Sequence, residues 1–172
     1  KVKTYYIHGN RDFLLGSTFL KKTGMTLLAD PSLVEIAGSK YLLAHGDALC
    51  TDDVQYQTFR TQVRNAKWQT EFLGQSLAAR KAQIEALRMQ SEQAKSNKSM
   101  SIMDVNEEAV ARLVQDYQHP SLFIHGHTHR PAVHELKVDG HLCKRIVLGD
   151  WYEQGSCLRL DQTGFRNIPI KM

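Results

Sequence analysis

Three segments of the chain share one layout, in which an apolar, strand-forming run ends in a polar turn that contains glycine. They are IHGNRD at residues 7–12, LAHGD at residues 43–47 and IHGHTHR at residues 124–130. Strand ends in α/β sheets are where ligands bind, and glycine lets the backbone approach a bound ion or phosphate without a side-chain clash. The layout predicts a ligand site built from three separate turns.

Strand signals occur in two groups that flank a long helical stretch. Runs rich in β-branched, aromatic and other apolar residues lie at 1–7, 32–36, 41–44, 122–124, 132–138, 145–148, 157–160 and 165–170. Between the groups the composition changes to Ala, Gln, Glu, Lys and Arg, with large apolar residues at helical spacing. We predict an α/β core formed by residues 1–52 and 119–172, and a helical insertion with a return helix at residues 53–118.

Two finer features are expected inside this insertion. Residues 94–101 are polar enough to form a loop. Asp104, followed three residues later by Glu107, has the pattern of a helix N-cap with its capping-box partner. The return helix is therefore expected to begin just after Asp104.

Charge and cysteine content limit the classes of partner and compartment. The formal net charge of +4 favours an anionic partner such as a phosphate ester or an acidic membrane surface. The cations are spread along the chain and are not clustered with aromatic residues, so we expect no nucleic-acid partner. Three widely spaced cysteines favour a reducing compartment. No run approaches the roughly 18 consecutive apolar residues of a membrane span.

The turn residues have the chemistry of divalent-metal ligands. His127 and His129 are two apart, so in an extended segment their side chains would point the same way and converge on neighbouring ions. His45 adds an imidazole nitrogen, and Asn10 adds a carbonyl oxygen. Mixed nitrogen and oxygen donors suit manganese, iron(II) or zinc more than calcium or magnesium. We predict a metal site at Asn10, His45, His127 and His129.

The same segments carry a resemblance to a known superfamily. His-Gly-Asn-Arg-Asp, His-Gly-Asp and Gly-His-Thr-His, in that order, resemble the third, fourth and fifth signature blocks of the calcineurin-like metallophosphoesterases. Most members have histidine where this chain has Arg11. With HGNRDFLLG, HGDALCTDD, IMDVN and HGHTHRPAVHEL, the chain closely resembles the pyrophosphohydrolase family of the lipid A pathway that acts on UDP-2,3-diacylglucosamine.

The resemblance implies a fold, a cofactor and a reaction. The fold would be part of a four-layer α/β/β/α sandwich, with the helical insertion as a lid. Two divalent ions, typically manganese, would support hydrolysis of the pyrophosphate to UMP and 2,3-diacylglucosamine 1-phosphate. Asn10, His45 and His127 would hold one ion and His129 would contribute to the other. Arg11 would clamp the phosphate and, with His127, form the catalytic pair.

The resemblance extends to substrate contacts in the insertion. Together with Asn10, Arg11 and His127, the residues that match substrate-binding positions are Asp53, Tyr56, Arg88, Ser91, Lys95 and Lys98. The family usually has asparagine where Lys95 stands. Apolar residues of the insertion would either line a chamber for two acyl chains or form an ordinary core: Trp68, Phe72, Leu73, Leu77, Ile84 and Leu87. A substrate with two acyl chains implies work at a membrane surface, and because the first residues do not form a charged-then-apolar signal sequence, we expect this to be the anionic cytoplasmic face of the bacterial inner membrane.

Two of the family's signature blocks have no counterpart in the chain. They are Asp-x-His and Gly-Asp-x-x-Asp, which lie upstream of the asparagine block and supply further ligands. We expect the chain to lack roughly seventy N-terminal residues, two βα units of the same protein. The chain alone would then bind metal weakly or need the missing segment.

Two alternatives remain open. The chain could be a non-catalytic or inactive fragment of the metallophosphoesterase fold, although a decayed site would be expected to lose histidines as well. It could also be a nucleotide phosphodiesterase of the same superfamily. Arg11 and the apolar insertion argue against that second alternative.

Overall fold

The computed structural model describes residues 2–36, 38–96, 98–99, 101–152 and 154–171. The chain divides into two compact units, residues 50–104 and residues 1–49 with 105–172. We call the first the helical unit and the second the strand unit. In chain order the elements are β1 (Tyr5–Tyr6), α1 (Ser17–Thr23), β2 (Thr26–Leu27), β3 (Ser32–Ile36), β4 (Ser39–Leu43), a 3-10 turn (Asp47–Leu49), α2 (Val54–Arg64), α3 (Ala66–Leu73), α4 (Leu77–Ser96), α5 (Glu107–Asp116), β5 (Leu122–His125), β6 (Ala132–Val138), β7 (His141–Val147), β8 (Gln154–Asp161) and β9 (Gly164–Lys171).

A five-stranded sheet forms the centre of the strand unit. Its strand order is β3-β4-β5-β7-β6, with β4, β5 and β7 parallel and the two edge strands antiparallel. All four residues of β5 are buried, as expected for the middle strand of a parallel set. Leu122, Ile124 and Ile146 form a core cluster on this sheet, and burial of each side chain stabilises the fold by about 1.5–3 kcal/mol.

The predicted α/β class is confirmed, and most strands lie near their expected positions. β3 and β6 have the expected bounds, whereas β7 begins at His141, four residues before the expected start. In the described part of the first predicted strand, only Tyr5–Tyr6 forms a strand, paired with β2. The sequence analysis did not anticipate α1 or β2. The remaining two strands, β8 and β9, form an antiparallel hairpin.

Side-chain caps define the starts of three helices. The Asp53 side chain caps α2 by accepting a hydrogen bond from the backbone N–H of Tyr56. The Asn65 side chain caps α3 by accepting from the backbone N–H groups of Lys67 and Trp68. The cap of α5 is Asn106, whose side chain accepts from the N–H of Ala109 at 3.0 Å. The predicted cap, Asp104, was wrong: Asn106 is an equally good capping residue, and it directly precedes the first helical residue, Glu107.

Within the predicted helical stretch, α4 extends further than expected, and α5 belongs to the strand unit. α4 continues to Ser96, so the predicted loop from residue 94 was wrong for residues 94–96; Asn97 and Met100 lie outside the described residues. α5, the predicted return helix, belongs to the strand unit, where it connects the parallel strands β4 and β5. Among the described residues, no helix is both long enough and apolar enough to cross a membrane.

Candidate metal centre

The turns that carry His45 and His127 lie side by side because β4 and β5 are parallel neighbours. Leu43 pairs with Ile124 in the sheet. The hydrogen-bond ladder continues beyond the strands: Ala44 N–H donates to Ile124 O at 3.1 Å, and Gly126 N–H donates to His45 O at 3.0 Å. As a result, the His45 and His127 ring centroids are 5.0 Å apart, in an edge-to-face arrangement. The structure brings together these two predicted ligands.

The first predicted segment, residues 7–12, lies against the His45 ring at Gly9. A β-carbon added to Gly9 would lie 3.1 Å from Nε2 of His45, so this backbone runs directly against the imidazole. Gly9 N–H donates to Oδ1 of Asp12 at 2.5 Å, which closes a turn with Asn10 and Arg11 at its crest. Asn10 is partly buried and Arg11 is exposed. All three predicted turns therefore contribute to one end of the sheet.

A buried carboxylate, Asp47, flanks His45 on its other side. Oδ1 of Asp47 is 3.1 Å from Nδ1 of His45, and the Asp47 side chain is fully buried. The two ring nitrogens of His45 therefore face different groups, Nδ1 toward Asp47 and Nε2 toward Gly9. In metal sites a carboxylate beside one nitrogen of a ligating histidine commonly orients the ring. The sequence analysis missed Asp47, although it follows the His45-Gly46 pair directly.

The backbone of His45 is itself held in place. Its N–H donates to Oδ1 of Asp30 at 2.9 Å. Asp30 lies fifteen residues upstream, in the loop before β3, so neither the motif nor its spacing indicated this contact. A hydrogen bond to a charged acceptor contributes about 1.5–3 kcal/mol. Asp30 therefore fixes the turn that presents the His45 ring.

His127 has the protonation state that metal binding requires. Burial, the largest cause, together with the charges of His45, His129 and His125, lowers the pKa of His127 from 6.5 to about 4, against a raising contribution from Asp47. The imidazole is therefore neutral near pH 7, and neutral imidazole is the form that ligates metals. His127 also has a φ of +67°, and Thr128 N–H donates to Gly126 O at 2.8 Å across it. It occupies the centre of a tight three-residue turn.

The segment that carries His127 and His129 is not extended, and the expected geometry was wrong. His129 also has a positive φ, +55°, so the alternation of side chains that holds in a strand does not apply. The His129 ring lies near other groups: its Nδ1 is 3.8 Å from Oδ2 of Asp150, and its centroid is 5.9 Å from that of Tyr152. Both His129 and Asp150 are more than a third exposed.

The donor set in the described part of the chain is incomplete for an ordinary metal site. No group of three histidine, cysteine, aspartate or glutamate side chains there is arranged to hold an ion. The arrangement instead offers the His45 and His127 imidazoles, with the Asn10 turn against His45. Two imidazole nitrogens suit a borderline cation such as manganese or zinc, but leave coordination positions to be filled by other groups.

The predicted substrate residues of the helical unit have their own contacts. Lys98 Nζ is 2.6 Å from Oδ1 of Asp53, and both side chains are largely buried. Tyr56 is half-buried, and Arg88 and Ser91 are exposed on α4. The side chain of Lys95 lies outside the described residues. Of the predicted apolar set, Phe72 is buried and stacked on Trp68, whereas Leu73 and Leu77 are exposed.

Comparison with known proteins identifies the family. No protein-family model matches the chain. It is 50% identical over 160 residues to the UDP-2,3-diacylglucosamine hydrolase of Aromatoleum aromaticum, covering 93% of this chain and 65% of that protein. It is 48% identical over 163 residues to that of Cellvibrio japonicus, covering 95% and 68%. The chain thus spans about two thirds of the length of these relatives.

Similarity to solved structures is much weaker. A novel archaeal phosphodiesterase aligns with 96% of this chain and 68% of its own, at 16% identity and a TM-score of 0.45. The sequence relationship is decisive, because nearly half of all aligned residues are identical over almost the whole chain. The chain belongs to the UDP-2,3-diacylglucosamine hydrolase family.

Proposed function

We propose that the protein hydrolyses the pyrophosphate of UDP-2,3-diacylglucosamine to UMP and 2,3-diacylglucosamine 1-phosphate, a step of lipid A biosynthesis. The observation that carries the proposal is the His45–His127 pair, with ring centroids 5.0 Å apart at the ends of adjacent parallel strands. The proposed activity is also supported by sequence identities near 50% to relatives named for this substrate. A paired imidazole site at strand ends is suited to metal-assisted attack on a phosphoester.

The proposed cofactor is a pair of divalent ions, with manganese as the physiological metal. Asn10, His45 and His127 would hold one ion, and His129 would contribute to the other. The fit of the first set is supported by the neutral His127 imidazole and by the Asp47 carboxylate oxygen, which lies 3.1 Å from Nδ1 of His45. When bound, such ions lower the pKa of a nucleophilic water and neutralise charge on the phosphoryl oxygens.

Arg11 and His127 are the residues that we propose to act at the reacting phosphate. Arg11 is exposed at the crest of the turn that Asp12 closes. A guanidinium is permanently charged and can bind two phosphate oxygens at once, which lysine cannot do in the same geometry. His127 would act through its place among the metal ligands. Asn10 would share the phosphate contact.

The remaining substrate contacts are assigned to the helical unit. Asp53 and Tyr56 would contact the sugar, and Arg88, Ser91, Lys95 and Lys98 the phosphate and sugar. Lys98 already neutralises Asp53 at 2.6 Å, so a phosphate that binds Lys98 would compete with that carboxylate. Because the substrate carries two acyl chains, we further propose that the protein works at the cytoplasmic face of the inner membrane, where its positive charge favours anionic lipids.

We propose that the rest of the protein completes the metal site. Support comes from the shortage of ligands in the described residues and from the chain's span of about two thirds of its relatives. Adding the N-terminal segment of the same protein to this chain should then increase manganese-dependent hydrolysis. Hydrolysis that stays the same after mixing would count against this proposal.

The test of the function uses the full-length protein and release of UMP from UDP-2,3-diacylglucosamine. His127→Ala should lower the manganese-dependent rate by at least about 100-fold, since it removes a ligand rather than a supporting group. His134→Ala is the matched control, because His134 is exposed on β6. Equal rates for the two variants, or preferential hydrolysis of a cyclic nucleotide, would reject the proposal.

A further inference from the structure

Arg145 is a charged side chain buried inside the central sheet. It lies on β7, paired with Phe123 of β5 and His134 of β6, and is 8% exposed. Removing a guanidinium from water is strongly unfavourable unless hydrogen bonds compensate. A hydrophobic residue would fit the interior of a sheet at lower cost. The position of Arg145 therefore points to a specific partner.

That partner is His125, the last residue of β5. Arg145 Nη1 donates to His125 Nε2 at 3.0 Å, and His125 is 1% exposed. A guanidinium has donors only, so Nε2 must carry the lone pair and the proton must be on Nδ1. Nδ1 lies 3.0 Å from the carbonyl oxygen of Gly126 and donates to it. The arginine thereby fixes the tautomer of the histidine.

The Gly126 carbonyl is the point at which this chain of hydrogen bonds reaches the candidate metal centre. It also accepts from Thr128 N–H at 2.8 Å, which closes the turn around His127. Gly46 packs against the same two groups, because a β-carbon there would lie 2.9 Å from His125 Nδ1 and 3.2 Å from Gly126 O. The turn that carries His45 and the turn that carries His127 therefore both contact Gly126, and the first also contacts His125.

We propose that Arg145 is a positioning residue for the metal site, acting through the His125 tautomer and the Gly126 carbonyl to aim His127 at His45. This proposal rests on the proposed function only in taking His127 to be a metal ligand. The hydrogen-bond relay itself is made entirely of protein atoms. A positive φ is strained for a residue other than glycine, and the relay supplies contacts that hold His127 in that conformation.

The first test is made on the full-length, metal-free protein. Long-range proton–nitrogen NMR should show His125 as the Nδ1–H tautomer, and Arg145→Met should weaken that preference, because only the Gly126 carbonyl would then favour it. Finding the Nε2–H tautomer in the unsubstituted protein would overturn the proposal. This readout needs no metal, so it remains decisive even if the protein proves to bind none and the proposed function fails.

The second test measures Mn²⁺ affinity by calorimetric titration without substrate. Arg145→Met should weaken binding by about 10–100-fold, the usual effect of removing a group that supports a ligand. Arg145→Lys should retain part of the affinity, because lysine can also donate to Nε2. Arg159→Met, at an exposed position, loses the same charge and should bind like the unsubstituted protein.

A double-mutant cycle separates positioning from general stability. If Arg145 acts through His125, the losses of Mn²⁺ affinity in Arg145→Met and His125→Asn should not add in the double variant. Additive losses, or an unchanged affinity in Arg145→Met, would overturn the proposal. Should Arg145→Met fail to fold, the Arg145→Lys affinity and the tautomer measurement still decide it.

Discussion

Gly46→Ala is the substitution that most directly tests the packing between the two turns that we propose to bind metal. Gly46 has a φ of +109°, and its missing β-carbon would lie 2.9 Å from His125 Nδ1 and 3.2 Å from Gly126 O. The second contact is with backbone, which cannot turn aside as a flexible side chain can. Alanine at this position therefore has to push the Gly126 turn away from the His45 turn.

Gly46→Ala combines backbone strain with a steric clash, and the control variant Gly164→Ala separates the two. Gly164 has a similar φ of +120°, but no described atom beyond its neighbours lies within 4 Å of its added β-carbon. Backbone strain of order 1–3 kcal/mol is therefore common to both alanine variants. The clash is specific to Gly46, and overpacking of this kind costs a further 1–3 kcal/mol, roughly.

The assay is thermal unfolding followed by circular dichroism, together with Mn²⁺ titration of each variant. The extra cost should make the melting temperature of Gly46→Ala lower than that of Gly164→Ala by roughly 2–12 °C. Mn²⁺ affinity should fall by about 10-fold or more in Gly46→Ala and remain unchanged in Gly164→Ala. Equal melting temperatures and equal affinities in the two variants would refute the reasoning.

Three further predictions follow from other contacts. Asp47→Asn should weaken Mn²⁺ binding by about 10–100-fold, because the amide no longer orients His45 as a carboxylate does; unchanged affinity in titration would contradict this. Lys98→Met should lower the free energy of unfolding by about 1.5–3 kcal/mol, since Lys98 lies 2.6 Å from buried Asp53. Its control, Lys67→Met, removes an exposed pair and should cost at most about 0.5 kcal/mol in urea denaturation. Burial raises the pKa of the Cys143 thiol, so at mildly alkaline pH it stays protonated, and iodoacetamide should label Cys157 before Cys143 as followed by peptide mass spectrometry; labelling of Cys143 first would contradict this.

The strand pattern and the meeting of two turns could be predicted from the sequence because both depend on local information. Alternating or continuous apolar runs mark β3 and β6 at their observed bounds. The Gly-His-x-His and His-Gly-Asp turns then follow neighbouring parallel strands, which delivers His45 and His127 to one edge. Short elements carry too little signal, and β1 and β2 pair over only two residues each.

The details of the site depended on contacts and conformations that sequence patterns do not encode. Positive φ values at His127 and His129 are uncommon for residues other than glycine, so an extended segment was the natural expectation and the wrong one. The Arg145–His125 pair joins residues twenty apart, and the Lys98–Asp53 pair joins residues 45 apart. A charged residue in a strand is ordinarily exposed, which is why Arg145 gave no sign of being buried.

The central claim is that His45 and His127 share one divalent ion. Anomalous scattering at the manganese absorption edge, from crystals of the full-length protein grown with Mn²⁺, tests it directly. We predict a peak within about 2.0–2.3 Å of a ring nitrogen of each histidine, the range of ordinary metal–nitrogen bonds. A peak that contacts only one of them, or no peak at this end of the sheet, would contradict the account.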